Sequence, residues 1–204
     1  MTWYSQAGQD RWVDTMTGGR LGGFFVDLGA YDGVQTSNTL GLVEERGWSG
    51  LCVEANLDYY DALVRNRPES FLVHAAVAGS IGLLHWAHQQ ATADLLAPTV
   101  PAKTLGQLLD EANAPERVDY LSIDVEGMEF EVFEAYDFSR RVDLLTVEHN
   151  LYCDGPANKN RLHALLTSRG FIRVVEDAPC LDPNPLYYLQ PYEDWYANAA
   201  FLAS

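Results

Sequence analysis

The sequence predicts an α/β fold: a mostly parallel sheet of about seven strands, with helices on both faces and an antiparallel last strand. Three observations lead there. Short apolar runs rich in β-forming residues, such as Phe24-Phe25-Val26-Asp27-Leu28 between Gly22-Gly23 and Gly29, have the length and boundaries of buried strands. These runs alternate with helical segments, and no Asn-Gly hairpin joins one to the next, which calls for parallel pairing through crossover helices. The last two strand segments have a connection too short for a crossover, so the final one must run back antiparallel.

The first strand, residues 24–28, leads to a helix from about Ser37 to Arg46, opened by Thr36 or Ser37 and closed at Gly47. Leu51 to Glu54 is the second strand, Asp58 to Arg65 the next helix, halted before Pro68, and Phe71 to Val77 the third strand. Ile81 to Trp86 has strand character, while Gln89 to Pro101 lacks a period and is expected as a loop. Alternation then resumes with a helix over 103–113, a strand over 118–123, a helix over 128–136 and a strand over 144–147. A helix over 158–169 ends at Gly170, and strands over 171–175 and 186–189 close the chain. No internal repeat or linker divides the sequence, so a single domain over residues 1–204 is expected.

The chain has 204 residues, long enough to bury a full core without disulfide or metal staples. Thirteen Lys and Arg against 29 Asp and Glu give a formal charge of −16, a field that repels nucleic acid and anionic membranes and suits a neutral or cationic acceptor. The N-terminal residues lack a charged segment followed by an apolar one, and no window holds about 18 apolar residues, so neither export nor a membrane span is expected. Cys52, Cys153 and Cys180 are widely spaced and odd in number, which indicates no disulfide framework or thiolate zinc site and fits a reducing cytoplasm.

The strongest chemical signal is Val26-Asp27-Leu28-Gly29-Ala30-Tyr31-Asp32-Gly33, a buried strand running straight into a glycine-containing turn. Such a turn lets backbone approach a ligand closely at the carboxyl end of the strand. It lacks the G-x-G-x-x-G spacing that goes with a pyrophosphate, which favours an adenosine cofactor without one and disfavours NAD or a nucleotide sugar. Glu54 ends the second strand, where an acid accepts hydrogen bonds from ribose hydroxyls.

With these residues in place the chain resembles the FkbM family of S-adenosylmethionine-dependent methyltransferases, from Tyr4 to about Asn150 and more loosely over Arg161 to Phe171. The motifs that carry the resemblance are Ser5-Gln6-Ala7-Gly8-Gln9-Asp10, the Val26 to Gly33 turn, Ser37-Asn38-Thr39, Trp48-Ser49-Gly50 leading to Glu54, and Ser122-Ile123-Asp124-Val125-Glu126-Gly127-Met128-Glu129. Gly106 stands where the family often has an Asp, and residues 78–101 match no part of it. The resemblance implies a Rossmann-like class I methyltransferase fold with S-adenosyl-L-methionine bound across the ends of strands one, two and four. It implies transfer to a hydroxyl of a sugar, a glycan or a glycosylated small molecule. Asp27, Gly29 and Asp32 would surround the methionine part of the donor and Glu54 its ribose. Gln6, Asn38 and Thr39 would reach the amino-acid end, with Asn56 and His74-Ala75-Ala76 near the adenine. Some relatives that resemble this sequence serve trafficking, so a non-catalytic binding protein that keeps the fold is the competing reading.

Asp124, Glu126 and Glu129 crowd the end of the fourth strand, and Glu148-His149-Asn150 follow the fifth. In an open parallel sheet these ends border one crevice, which makes Asp124, Glu126, Glu148 and His149 the candidate catalytic residues. A hydroxyl is too weakly acidic for a carboxylate to ionise beforehand. Either a base takes the proton as the new bond forms, with His149 nearest an ideal pKa, or Asp124, Glu148 and His149 hold Mg2+ or Mn2+ to acidify the alcohol.

Overall fold

The computed structural model describes residues 2–87, 90–149, 151, 155–181, 183 and 188–204. In chain order the elements are α1 (Gln9–Met16), β1 (Phe24–Leu28), α2 (Leu40–Arg46), β2 (Ser49–Glu54), α3 (Leu57–Asn66), β3 (Phe71–His74), β4 (Ala76–Val77), β5 (Gly82–Ala87) and β6 (Gln90–Ala91). They continue as β7 (Thr99–Lys103), α4 (Leu105–Glu111), β8 (Arg117–Ile123), α5 (Glu129–Ala135), β9 (Arg141–Glu148), α6 (Pro156–Ser168), β10 (Phe171–Pro179), β11 (Pro191–Asn198) and α7 (Ala199–Leu202).

Seven strands form the main sheet in the order β10-β11-β9-β8-β1-β2-β3. Pairing is parallel from β3 through β9, and β11 runs antiparallel to both its neighbours, as the short final connection requires. Alternate residues of each strand feed two apolar layers. Val26 and Leu28 pack with α4, α5 and α6 through Leu108, Phe133 and Leu166, whereas Phe25 and Cys52 pack with α1, α2 and α3 through Val13, Leu42 and Leu63. Each fully buried side chain of this kind contributes roughly 1.5–3 kcal/mol. Strand β1 lies between β2 and β8, where the order of connection reverses, and a crevice opens there beyond the carboxyl ends of the strands.

Several boundaries differ from expectation for local reasons. Helix α2 starts at Leu40 because Ser37 Oγ accepts the backbone N–H groups of Thr39 and Leu40 and holds a separate turn ahead of it. The expected third strand divides at Ala75, its second piece joining a smaller sheet of order β4-β7-β5-β6. The expected loop over 89–101 contributes β6 and most of β7 to that sheet, apart from Gln89, which lies outside the described residues. Pro101 disguised β7: it pairs with Leu83 on one side only, at a register where β4 offers no partner, so its missing N–H is tolerated. The last strand is Pro191–Asn198 rather than 186–189. Tyr188 and Leu189 form a turn, and Leu186 and Tyr187 lie outside the described residues. Strand β10 extends past Val175 through register shifts that accommodate Asp177 at a left-handed φ of 54°. Among the described residues, no helix is long and apolar enough to cross a membrane.

Candidate functional site

The crevice is a cavity of about 410 Å³, within the range of small-molecule sites. Its wall carries five carboxyl side chains, from Asp27, Glu54, Asp124, Glu126 and Glu148, and no Lys, Arg or His among the described residues. Every carboxyl group comes from the end of a parallel strand or the turn that follows it.

Asp27 is buried on the α2 side of β1, where Thr39 Oγ1 donates to its Oδ2 at 2.8 Å. Burial raises its pKa to about 6 against the pull of Thr39 and Arg67. Arg67, itself fully buried, donates to Thr39 Oγ1, Ser37 Oγ and the Gly33 carbonyl. Thr39 is a relay between a buried cation and Asp27 and does not reach the cavity wall. Ser37 Oγ accepts from three N–H donors, so its own hydrogen is what it presents to the cavity.

Gly29 is dictated by its neighbour. A Cβ there would stand 1.9 Å from the Asp124 carbonyl oxygen, and φ is +87°. Gly29 also lines the cavity, and its close approach to the end of β8 brings the turns after β1 and β8 together. Asp32 lies outside the cavity wall; its Oδ1 accepts from Val34 and Gln35 N–H and shapes the turn. Glu54 is buried, with Oε2 accepting from Tyr31 N–H at 2.8 Å and Oε1 from Asn56 N–H at 2.7 Å. Each oxygen keeps a lone pair for the cavity, and burial lifts the group to about 7 despite these bonds.

Gln6 and Asn38 line the cavity, and Asn38 Nδ2 donates to Ser122 Oγ, leaving its buried Oδ1 without a partner. Asn56 caps α3 with its side chain, and His74 bonds to the Ala55 carbonyl and stacks on Tyr60, so both stand outside the wall. Ala75, Ala76, Val77, Tyr59 and Trp86 give the wall its apolar section. Trp86 comes from β5, within the stretch that matched no family element, and its Nε1 is buried without a partner.

On the opposite side, Asp124 accepts a 2.6 Å hydrogen bond from Tyr192 Oη, delivered by the antiparallel strand β11. Glu148 at the end of β9 is buried and has an unpartnered Oε2. Burial, then Asp124 beside it, holds its carboxyl well above the ordinary range. Glu126 is exposed at the crevice mouth with a left-handed φ of 56°. The surrounding protein, with Asp124 and Glu54, raises it to about 7. Glu129 is fully buried, its Oε1 accepting from Val125 and Gly127 N–H and closing the turn that presents Glu126.

His149 is placed elsewhere. It is buried away from the cavity wall, its Nδ1 accepts from Leu151 N–H at 3.3 Å, and its Nε2 stands 3.4 Å from both Asp177 Oδ1 and Asp194 Oδ1. A metal held by Asp124, Glu148 and His149 does not fit this arrangement, because the three do not converge among the described residues. The group that does converge, His149 with Asp177 and Asp194, is also a poor cation site. An accepting Nδ1 leaves the hydrogen on Nε2, and Lys159 and Arg173 already pair with the two carboxylates. Asn150 lies outside the described residues.

Tyr192, Trp86, Tyr59 and Arg67 carry no motif. Tyr192 lies on β11, which is buried almost throughout and so has no alternation to mark it.

The sequence matches the model of the methyltransferase FkbM domain over residues 27–172. No curated protein matches it. The fold is similar to methyltransferase FkbM from Methylobacillus flagellatus KT, with TM-score 0.55 and 12% identity over 86% of this chain; the chain spans 43% of that protein's length. It is also similar to TrmK of M. capricolum in complex with S-adenosyl-homocysteine, at TM-score 0.54 and 12% identity over 92% of this chain and 67% of that one. Precorrin-6y C5,15-methyltransferase from Geobacter metallireducens GS-15 gives TM-score 0.51 and 14% identity over 92% and 86% of the two chains. With the family model covering well over half of its residues, the chain belongs to the FkbM methyltransferase family.

Proposed function

We propose that this protein is an S-adenosyl-L-methionine-dependent O-methyltransferase acting on a hydroxyl of a sugar, a glycan or a glycosylated small molecule. One observation carries the reading: the cavity at the strand ends is lined by carboxyl groups with no opposing basic side chain among the described residues, an environment that favours a cationic sulfonium. The residues present fit the donor. The free lone pairs of Glu54 suit ribose hydroxyls, the orphaned Asn38 Oδ1 and the Asp27 carboxylate suit the α-ammonium, and the Ser37 hydroxyl and Gln6 suit the carboxylate. Ala75, Ala76 and Val77 offer an apolar wall to a purine.

When bound, the donor supplies an electrophilic methyl group on a sulfonium sulfur. The protein aligns the acceptor oxygen behind that methyl group, excludes water and receives the hydroxyl proton as the bond forms. Glu126 is the proton acceptor, since its carboxyl titrates near 7 at the mouth of the crevice and the Glu129-closed turn aims it. Asp124 and Glu148 hold the acceptor.

Calorimetric titration tests the donor site. Both S-adenosylmethionine and S-adenosylhomocysteine should bind, and Glu54→Ala should weaken both together by about 1.5–3 kcal/mol, the loss of bonds to a charged group. No heat from either ligand in the unmutated protein defeats the reading. Labelled donor with a panel of glycans tests the acceptor class. With an acceptor in hand, kcat/KM should rise with pH through a step near 7, because Glu126 must be ionised to take a proton, and Glu126→Gln should remove that step.

A further inference from the structure

The five carboxyl groups of the cavity are unequally compensated. Asp27 is tied through Thr39 to the buried Arg67 guanidinium, Glu54 accepts two backbone N–H bonds, and Glu126 opens to solvent. Asp124 and Glu148 bond to each other through their carboxyl groups, and among the described residues the one outside donor to the pair is the Tyr192 hydroxyl, bound to Asp124 Oδ2. Glu148 is 5% exposed and its Oε2, at the cavity wall, has no partner. A buried oxygen acceptor without a donor costs about 1–3 kcal/mol, more where charge is involved, so this pair is built for something that arrives with the substrate.

A neutral hydroxyl would supply one hydrogen bond and bring no positive charge of its own to the pair, and the cavity wall holds no base among the described residues. Among the described residues Asp124 and Glu148 belong to no group of three convergent metal-ligating side chains, and His149 turns toward Asp177 and Asp194, so a divalent cation would have to take most of its ligands from water. A protonated amine has what both lack: one positive charge and up to three N–H donors within a small volume. We infer that the acceptor is an amino sugar whose ammonium group is held between Asp124 and Glu148, presenting a neighbouring hydroxyl for methylation. The inference rests on the methyltransferase reading and narrows its substrate class. The ammonium competes with the proton that burial and Asp124 favour on Glu148, so binding of the amine is accompanied by proton release to solvent.

The test uses S-adenosylhomocysteine-loaded protein at physiological salt and three methyl glycosides that differ only at C2: glucosaminide, N-acetylglucosaminide and glucoside. Affinity is read by ligand-observed NMR and proton release by calorimetry in buffers of different ionisation enthalpy. The amine should bind about tenfold or more tighter than the other two, as expected for charge-assisted bonds, and it alone should release a proton. Glu148→Gln should erase the preference, whereas Tyr192→Phe, which removes no charge, should keep it. Equal or tighter binding of the acetamide or glucoside overturns the inference, as does binding of none of the three, or a preference that survives Glu148→Gln. Should Glu148→Gln fail to fold, proton release by the unmutated protein decides. Absence of S-adenosylhomocysteine binding is a separate failure, that of the methyltransferase reading, and the three glycosides titrated into free protein still test the anchor.

Discussion

Thr39 Oγ1 sits 2.8 Å from Asp27 Oδ2 and 3.2 Å from Arg67 Nη1, with no accessible surface of its own. It donates to the carboxylate and accepts from the guanidinium, linking buried Asp27 to a cation whose other side pairs with Glu69. Thr39→Val keeps the shape and removes both bonds, so it should destabilise the protein by about 1–3 kcal/mol in urea denaturation, while Thr39→Ser should recover most of that loss. Unchanged stability of the valine variant would show that water or rotation of Arg67 replaces the relay. The sequence singled out Thr39 by its family motif and placed it beside the donor. Its position behind Asp27 depends on Arg67, which stands before Pro68 in an unremarkable stretch and reveals its burial only in three dimensions. Asp27, Gly29 and Glu54 were legible because a strand ending in a small-residue turn, followed one unit later by a strand ending in an acid, is a local pattern.

At the level of elements, the turns after β1 and β8 interlock through Gly29 and the Asp124 carbonyl, and the fully buried Glu129 fixes the β8 turn from within. Periodicity made the strands and helices of this frame readable. It could not read β7, whose alternating burial of Val100 and Ala102 is masked by Pro101, nor the bulge in β10. That bulge has a functional consequence. By taking Asp177 into a left-handed conformation, it sets a second carboxylate beside Asp194 at His149 Nε2, so the imidazole that follows Glu148 turns from the crevice into a network with Lys159 and Arg173. Asp194 titrates at about 2: burial opposes this, and the His149 ring, the Asp177 N–H and Arg173 outweigh it. His149→Ala should therefore lower the melting temperature by several degrees while leaving turnover per folded molecule within about twofold. It should also leave the pH step in place. Loss of that step with stability intact would return His149 to the reaction.

For the whole molecule, the formal charge of −16 is concentrated in function at one cavity, and its pH response follows from the direction of the shifts. Burial raises Asp27 to about 6, Glu54 and Glu129 to about 7, Glu193 to about 8, and Glu148 well above its ordinary value, while the surrounding protein with Asp124 and Glu54 raises the exposed Glu126 to about 7. The folded protein thus holds protons that the unfolded chain gives up near 4 to 4.5. Stability from these groups is full below that range and is lost as pH rises through their folded values, between about 6 and 8. Asp194 acts in the opposite sense, since its contribution is present above about 4 and lost only as pH falls toward 2. The ligand-free protein should accordingly melt at a higher temperature at pH 5.5 than at pH 8, and Glu193→Gln should flatten that slope. Ligand affinity should run the other way for one of two near-identical molecules. S-adenosylmethionine carries a sulfonium and S-adenosylhomocysteine a neutral thioether, and their adenosine and amino-acid parts are the same. Ionisation of Asp27 and Glu54 therefore favours the first over the second, and the ratio of their affinities should shift toward S-adenosylmethionine as pH goes from 6 to 8. A ratio independent of pH, measured by paired titrations in one buffer series, would mean that these carboxyl groups do not sense the sulfur's charge and that the donor lies in the cavity in another orientation.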